Sequence, residues 1–438
     1  MNKILFKWSE LKATFWFIPV IIIIASVLLA ISLVYVDDLI SFSQDGISRF
    51  FFVQSSDSAR SILSTISGAM IGVAGTVFSV TLVALTLASS QFGPRLIKNF
   101  MYVRLNQIVL GSYVSTYLYC LLVLNAVKDG DDYTFIPSIS ILVAILAAVT
   151  NILLLIIFIH QIATSIQADK VISDISAFIS KQLETLFPEK MGAEIESDRG
   201  IDHASAIAGF SRSISIKSPK SGYLQYVDTE TLMEIITKNN ALFELYYRPG
   251  RHLVKGIEIG LLHTKEDWEK DALERISNQF VFGKTKTSQQ DLEYSIKQMV
   301  EIAVRALSPG VNDPYTAITC IDNLTATMCY LAQAKFPSKY RFDEESNLRI
   351  IADTVNFQGV LDTAFNQIRQ FSGGNTAVII RLMEALITIY GFVEKAKYKK
   401  AVIRHAEMVL TIGKETIKEK NDIQDLTNRS KDILQKSS

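Results

Sequence analysis

The chain has 438 residues, with 44 Lys/Arg against 44 Asp/Glu, three cysteines and five histidines. A zero net charge without a basic block lacks the electrostatic footprint of a nucleic-acid binder, and so few Cys and His leave little room for a disulfide framework or a metal cluster. The charge is also unevenly spread: residues 1–165 hold 9 basic and 8 acidic residues, leaving 35 and 36 for residues 166–438. The first part reads as lipid-embedded and the second as water-exposed.

Four runs carry the membrane reading. Ala13 to Val36 is 24 residues without a charge, Ser61 to Pro94 is 34, Leu105 to Val127 is 23, and Tyr133 to Ala168 is 36. A span needs roughly 20 apolar residues, so transmembrane helices are expected at 14–36, 62–88, 106–127 and 138–163, within a membrane domain over 1–165. The first run is too long for a signal-peptide core and lacks a small-x-small site before Asp37, so it is expected to be a retained helix. Lys3, Lys7, Lys12, Arg95, Lys98 and Arg104 fall on one side of the bilayer. Arg49, Arg60 and Lys128, diluted by Asp37, Asp38, Asp45, Asp57, Asp129, Asp131 and Asp132, fall on the other. The positive-inside rule then puts both termini in the cytosol. There Cys320 and Cys329 stay reduced.

A charged amphipathic helix is expected from Val171 to Phe187, within a linker over 166–210, with 189–200 polar and loose. From Ser211 the text turns to strands, SISIKS, YLQYVD, LFELYYR and HLVKGIEIGLL, with a helix at Thr229–Thr237 and turns at Ser218-Pro219, Ser221-Gly222 and Pro249-Gly250. This gives a β-rich module over 211–288. From 289 to 438 a helical bundle is expected, with helices at Asp291–Leu307, Tyr315–Ala334, Leu348–Gln370 and Thr376–Tyr398 and a charged final helix from Lys399. The fold class is thus an α-helical membrane domain with four transmembrane helices, plus a cytosolic α+β domain.

Four motifs carry a resemblance. SSQFGPRL after the second run, GYLQYVD and YYRPGRHLVKG in the β module, and IAVRALSPGVNDPYTAI at Ile302–Ile318 resemble the bacterial predicted membrane protein family catalogued as domain of unknown function 2254. The resemblance covers most of the chain in the same order. It implies four membrane helices and a cytosolic domain, and brings no established activity. The chain departs from the family pattern at Gly283-Lys284-Thr285-Lys286-Thr287, where the resemblance leads one to expect arginine and threonine after the glycine. Lysine there offers a point charge, not a bidentate fork.

Several chemistries find no foothold. GKT at Gly283 is not a phosphate-binding loop, because Asn278 stands where the first glycine belongs, so this stretch is expected to be a strand-to-helix connection. Gly373-Gly374 reads as an interhelical loop. His160, His203, His252, His263 and His405 lack metal-site spacing, and no G-x-S-x-G elbow occurs. The rhythm of Pro249-Gly250 to Gly256 is similar to half of a lipoyl-like barrel, which suggests a barrel-like sandwich without a prosthetic lysine. The expectation is a non-enzyme with no cofactor and no metal.

Two groups of residues remain as candidates. In the second membrane helix Thr65, Gly68, Gly72, Gly75, Thr76, Ser79, Thr86 and Ser90 recur at three- and four-residue steps. Such a small and hydroxylated stripe either brings helices close or lines water. At the corner of two cytosolic helices, Pro309-Gly310 stops one and Asp313 can cap the next at Pro314. There Arg305, Asn312, Asp313 and Tyr315 either merely fix the turn or bind a ligand or a neighbouring subunit. The expected partners are the lipid bilayer and further copies of the chain. The leading reading is a homo-oligomeric, channel-like or transport-related protein regulated by its cytosolic domain. A non-transporting scaffold or signalling protein is the alternative.

Overall fold

The structure, a computed structural model, describes residues 8, 11–12, 14–39, 53, 55–93, 104–130, 133–165, 167–186, 203–287 and 290–435. Lys3, Lys7, Asp45, Arg49, Arg95, Lys98 and the stretch 189–200, on which parts of the sequence reading rest, lie outside the described residues. The chain forms two compact units, Trp8–Lys170 and Val171–Ser438.

Among its described residues the first unit has four helices long and apolar enough to cross a membrane. They are α1 (Phe17–Leu39), α2 (Ser56–Phe92), α3 (Arg104–Ala126) and α4 (Ser138–Ser165), with a short hairpin, β1 (Lys128–Gly130) and β2 (Tyr133–Phe135), before α4. The charge-free runs therefore locate the helices to within six residues at every end. The largest difference is at the start of α2, which begins upstream of Arg60 because Ser55 caps it, accepting from the Ser58 amide. At 37 residues α2 is roughly 55 Å long, well beyond a bilayer's apolar thickness.

α3 is the inner helix, and its polar side chains are the reason. Asn106, Gln107, Ser115 and Thr116 are buried along it, beside Tyr113 and Tyr119. At the bundle centre Asn151 of α4 is fully buried: its Oδ1 accepts from Ser112 at 2.6 Å and its Nδ2 donates to Thr116 at 2.9 Å. The Tyr113 hydroxyl donates to the Asn151 carbonyl at 2.7 Å. Polar groups in lipid must be satisfied by protein, so they collect on the helix that touches all the others. Apolar residues of α1 and α4, such as Ile24, Leu28, Leu146 and Ile156, are left on the outside.

Asp37, near the end of α1, ties that helix to the start of α4. Its carboxylate accepts from the Ile139 and Ser140 amides at 2.9 and 3.0 Å and from the Ser140 hydroxyl at 2.6 Å. The first amides of a helix lack intrahelical partners and favour negative charge. Where α1 and α3 cross, Gly111 leaves no room for more: a Cβ there would lie 2.9 Å from the Pro19 Cα.

The second unit begins along α5 (Ala168–Leu186), whose Ile172, Ile175, Ile179 and Leu183 are buried at helical spacing. After α6 (His203–Ile207) come β3 (Arg212–Lys217), β4 (Gly222–Val227), α7 (Thr229–Lys238), β5 (Leu242–Leu245), β6 (His252–Leu253), β7 (Glu258–Thr264), α8 (Lys270–Ser277) and β8 (Phe280–Gly283). The helical part comprises α9 (Leu292–Ala306), α10 (Pro314–Gln333), α11 (Phe357–Phe371), α12 (Thr376–Phe392), α13 (Ala396–Thr416) and α14 (Lys420–Leu434). Between α10 and α11 lie β9 (Tyr340–Phe342) and β10 (Leu348–Ala352).

Helix starts follow the sequence closely because the caps are explicit. Asp228, Asp291, Asp313, Asn356 and Asn375 each accept from the amide three residues on. The strands fall into two sheets. β3-β7-β5-β10-β9 form one and β6-β4-β8 the other, and both contribute to one apolar core that includes Leu224, Phe243, Leu253, Leu262, Phe280 and Ile350. A barrel-like sandwich is expected from the turn at Pro249-Gly250; the observed arrangement is two sheets sharing one core, with two strands drawn from beyond the module. At that turn Gly250 takes φ +96° beside Asp291, a conformation open to glycine.

Three expectations are corrected. Leu348–Ala352 does not start a helix: LRIIA pairs in parallel with β5, with Ile350 opposite Phe243. A short apolar run reads equally well as either element, and β5 offered an open edge. The sheet therefore draws two strands from the stretch expected to be helical. The helix expected over Thr376–Tyr398 ends at Phe392, and the single final helix is two, α13 and α14, broken at 417–419.

Candidate functional site

All eight residues of the α2 stripe are exposed. At about 100° per residue they fall within an arc of about 100°, while the buried residues Ala59, Leu63, Ser67, Met70, Ala74, Val77, Thr81 and Ala88 fall within about 80° on nearly the opposite side. The second group packs against α3 and α4: Met70, Ala74 and Val77 join Val109, Tyr113 and Phe158 in one cluster. A Cβ added at Gly68, Gly72 or Gly75 would meet nothing within 4 Å. Among the described residues the stripe is therefore not used for packing.

The stripe's hydroxyls mostly turn back on their own helix. Thr65 donates to the Ser61 carbonyl at 2.7 Å, Thr76 to Gly72 at 3.3 Å, Thr86 to Leu82 at 2.9 Å and Ser90 to Leu87 at 2.8 Å. This satisfies the donors in an apolar medium while leaving the acceptor lone pairs facing outward. The surface is smooth and weakly polar, with Val83 as an apolar break that is 58% exposed.

The second candidate group is divided between a helix cap, an exposed loop and the last turn of α9. Asp313 is committed to the cap of α10: its carboxylate accepts from the Thr316 amide at 3.1 Å and the Thr316 hydroxyl at 2.6 Å. Asn312 sits at φ +49° with its amide donating to the Ser308 carbonyl at 2.9 Å, and its side chain is exposed. Tyr315 is 79% exposed and Val311 50%, while Arg305 is partly buried in the last turn of α9. The loop thus fixes the turn between α9 and α10 and presents Val311 and Tyr315 outward. The other loops singled out are connections: 284–291 joins β8 to α9, and 372–375 joins α11 to α12.

Sequence reading missed a third feature, a cavity of about 220 Å³ in the second unit, lined by Arg248, Pro249, Gln290, Arg341 and Asp353 among others. Its residues are scattered from Val227 to Val355, so no spacing rule could assemble them. The usable signal is that GYLQYVD and YYRPGRH, two of the distinctive motifs, each place a residue on its wall. A fully buried histidine was also missed: His405 on α13 lies with its Nε2 2.7 Å from Asp362 on α11. Burial pulls its pKa below the ordinary value, with Asp362 opposing that shift.

Comparison with known proteins gives one family and two organisms. The chain matches the family described as predicted membrane protein (DUF2254) over residues 12–388. It is 30% identical over 348 residues to an uncharacterized protein of Mycobacterium bovis and, to the same extent, to one of Mycobacterium tuberculosis. Each alignment covers 78% of this chain and 66% of the relative, so the chain spans just under two thirds of those proteins' length. No solved structure matches it.

Proposed function

This chain belongs to the predicted membrane protein family DUF2254, and from that premise we propose that it is a homo-oligomeric, channel-like protein of the bacterial inner membrane. In this reading the α2 stripes of several copies face a shared axis, and the second unit lies in the cytosol and regulates the pathway. The observation that carries it is the orientation of α2: its glycines and hydroxyls point away from the described helices of their own chain. A lipid-facing surface favours large apolar side chains such as those on α1 and α4. Thr65, Thr76, Ser79, Thr86 and Ser90 on an outward face suit another protein surface or water.

The back-bonded hydroxyls favour a second reading. Groups already satisfied by their own helix do not require water, so the stripe also suits dry packing between copies in a non-transporting scaffold or signalling protein. Ion flux from liposomes holding the purified protein separates the two, with Ser79→Val/Thr86→Val beside wild type. A conduit changes its permeability or selectivity when those hydroxyls go. Wild-type protein that assembles but passes no ion above empty liposomes, under varied voltage and tension, leaves the scaffold.

A further inference from the structure

The cavity of about 220 Å³ opens at the carboxyl ends of β5 and β10, the parallel pair of the five-stranded sheet. Arg248-Pro249 follows β5 and Asp353-Thr354-Val355 follows β10, and both segments form the rim. Leu232, Leu245 and Ile350 provide apolar floor. Crevices at this end of parallel strands are favoured ligand sites, since the chain leaves adjacent strands in diverging directions there.

Two guanidiniums line the cavity, and they differ in state. Arg248 is engaged: Nη2 lies 2.6 Å from Glu293 Oε1, and Nη1 donates to the Thr354 carbonyl at 3.1 Å. Arg341, on β9, makes no ion pair among the described residues, and its buried Nε has no hydrogen-bond partner. Burial pulls its pKa below the ordinary arginine value. Two further polar lining residues are engaged: the Gln290 amide bonds both backbone groups of Val227, and Asp353 lies 3.9 Å from the Arg248 Nε. A partly buried cation without a counter-charge is strongly disfavoured unless something supplies the anion.

We propose that this cavity binds the oxyanion group of a small solute, a phosphate or a carboxylate, with Arg341 as its direct counter-charge. A guanidinium fork matches either group in two parallel hydrogen bonds. The inference concerns the second unit alone and holds whether or not the membrane unit conducts.

Equilibrium dialysis of the full-length protein in detergent tests it, with radiolabelled inorganic phosphate in one arm and radiolabelled succinate in the other. At least one anion binds saturably, one per chain, and Arg341→Met weakens that binding by about 10- to 100-fold. Arg341→Lys falls between, keeping the charge without the fork, and Arg381→Met, on α12, binds as wild type. The arm that binds tells phosphate from carboxylate. Failure of both anions to saturate, or unchanged binding by Arg341→Met, overturns the proposal. So does an Arg341→Met protein that melts below wild type in anion-free buffer, because the guanidinium would then already have a stabilising partner.

Discussion

Replacing Gly72 with leucine separates packing inside the chain from packing between copies. Gly72 lies on the exposed face of α2, and a Cβ there meets nothing within 4 Å. The exposed position therefore accepts a Cβ among the described residues, and removing a helix-interior glycine gains up to about 0.8–1 kcal/mol. If two α2 stripes meet, the same side chain enters a contact formed without it. Overpacking costs about 1–3 kcal/mol per site, which weakens association by about 5- to 150-fold. The assay pairs subunit counting in lipid nanodiscs with thermal unfolding: Gly72→Leu shifts the population towards monomer while the midpoint holds or rises. Ala74→Leu is the reciprocal control, since Ala74 is 4% exposed in the cluster with Tyr113 and Phe158, and its midpoint falls. A lowered midpoint for Gly72→Leu, or an unchanged subunit count, would refute the reasoning.

Other perturbations address the scaffold. Asp37→Ala removes three hydrogen bonds to the first turn of α4 and costs about 1–3 kcal/mol, read as a lower unfolding midpoint, with Asp37→Asn retaining part of the loss. Gly111→Ala forces a methyl to within 2.9 Å of the Pro19 Cα and 3.1 Å of the Ile22 Cδ1, at about 1–3 kcal/mol; Gly72→Ala, by contrast, costs nothing. His405 has its pKa lowered from 6.5, so the unfolded chain binds the proton more tightly. Its contribution to stability is complete above pH 6.5 and declines as the pH falls below that value. Denaturant midpoints at pH 7.5 and pH 5.5 should differ less in His405→Gln than in wild type.

The membrane helices and most helix starts were legible because each has a local cause. Charge-free runs mark what lipid tolerates, and Asp228, Asp313 and Asn375 announce caps within three residues of the amides they meet. The α2 stripe was equally legible as a pattern, since glycine and hydroxyl spacing is local. Which way it faced was not, because that depends on Met70 and Ala74 finding Tyr113 and Phe158 on other helices. Leu348–Ala352 was misread for the same reason: five residues of mixed apolar character become a strand only because Phe243 and its neighbours lie alongside. Arg341 gave no signal, as its significance lies in a missing partner. The break at 417–419 contains neither Gly nor Pro, and only the Glu419 side chain accepting from the Asn421 amide marks it.

The pairing of β5 with β10 joins segments roughly a hundred residues apart in the chain. During synthesis from the amino terminus, β5 emerges with β7 on one side and an open edge on the other, and it keeps that edge until α9, α10 and β9 have followed. The sheet is thus a late-closing structure whose slow step is a long-range parallel pairing. A nascent chain stalled before Leu348 would present Leu242–Leu245 as an unprotected strand, the surface that recruits other strands and promotes aggregation. Shortened versions of this protein should accordingly be cut outside the interval from Arg212 to Ala352, so that both halves of the ladder travel together.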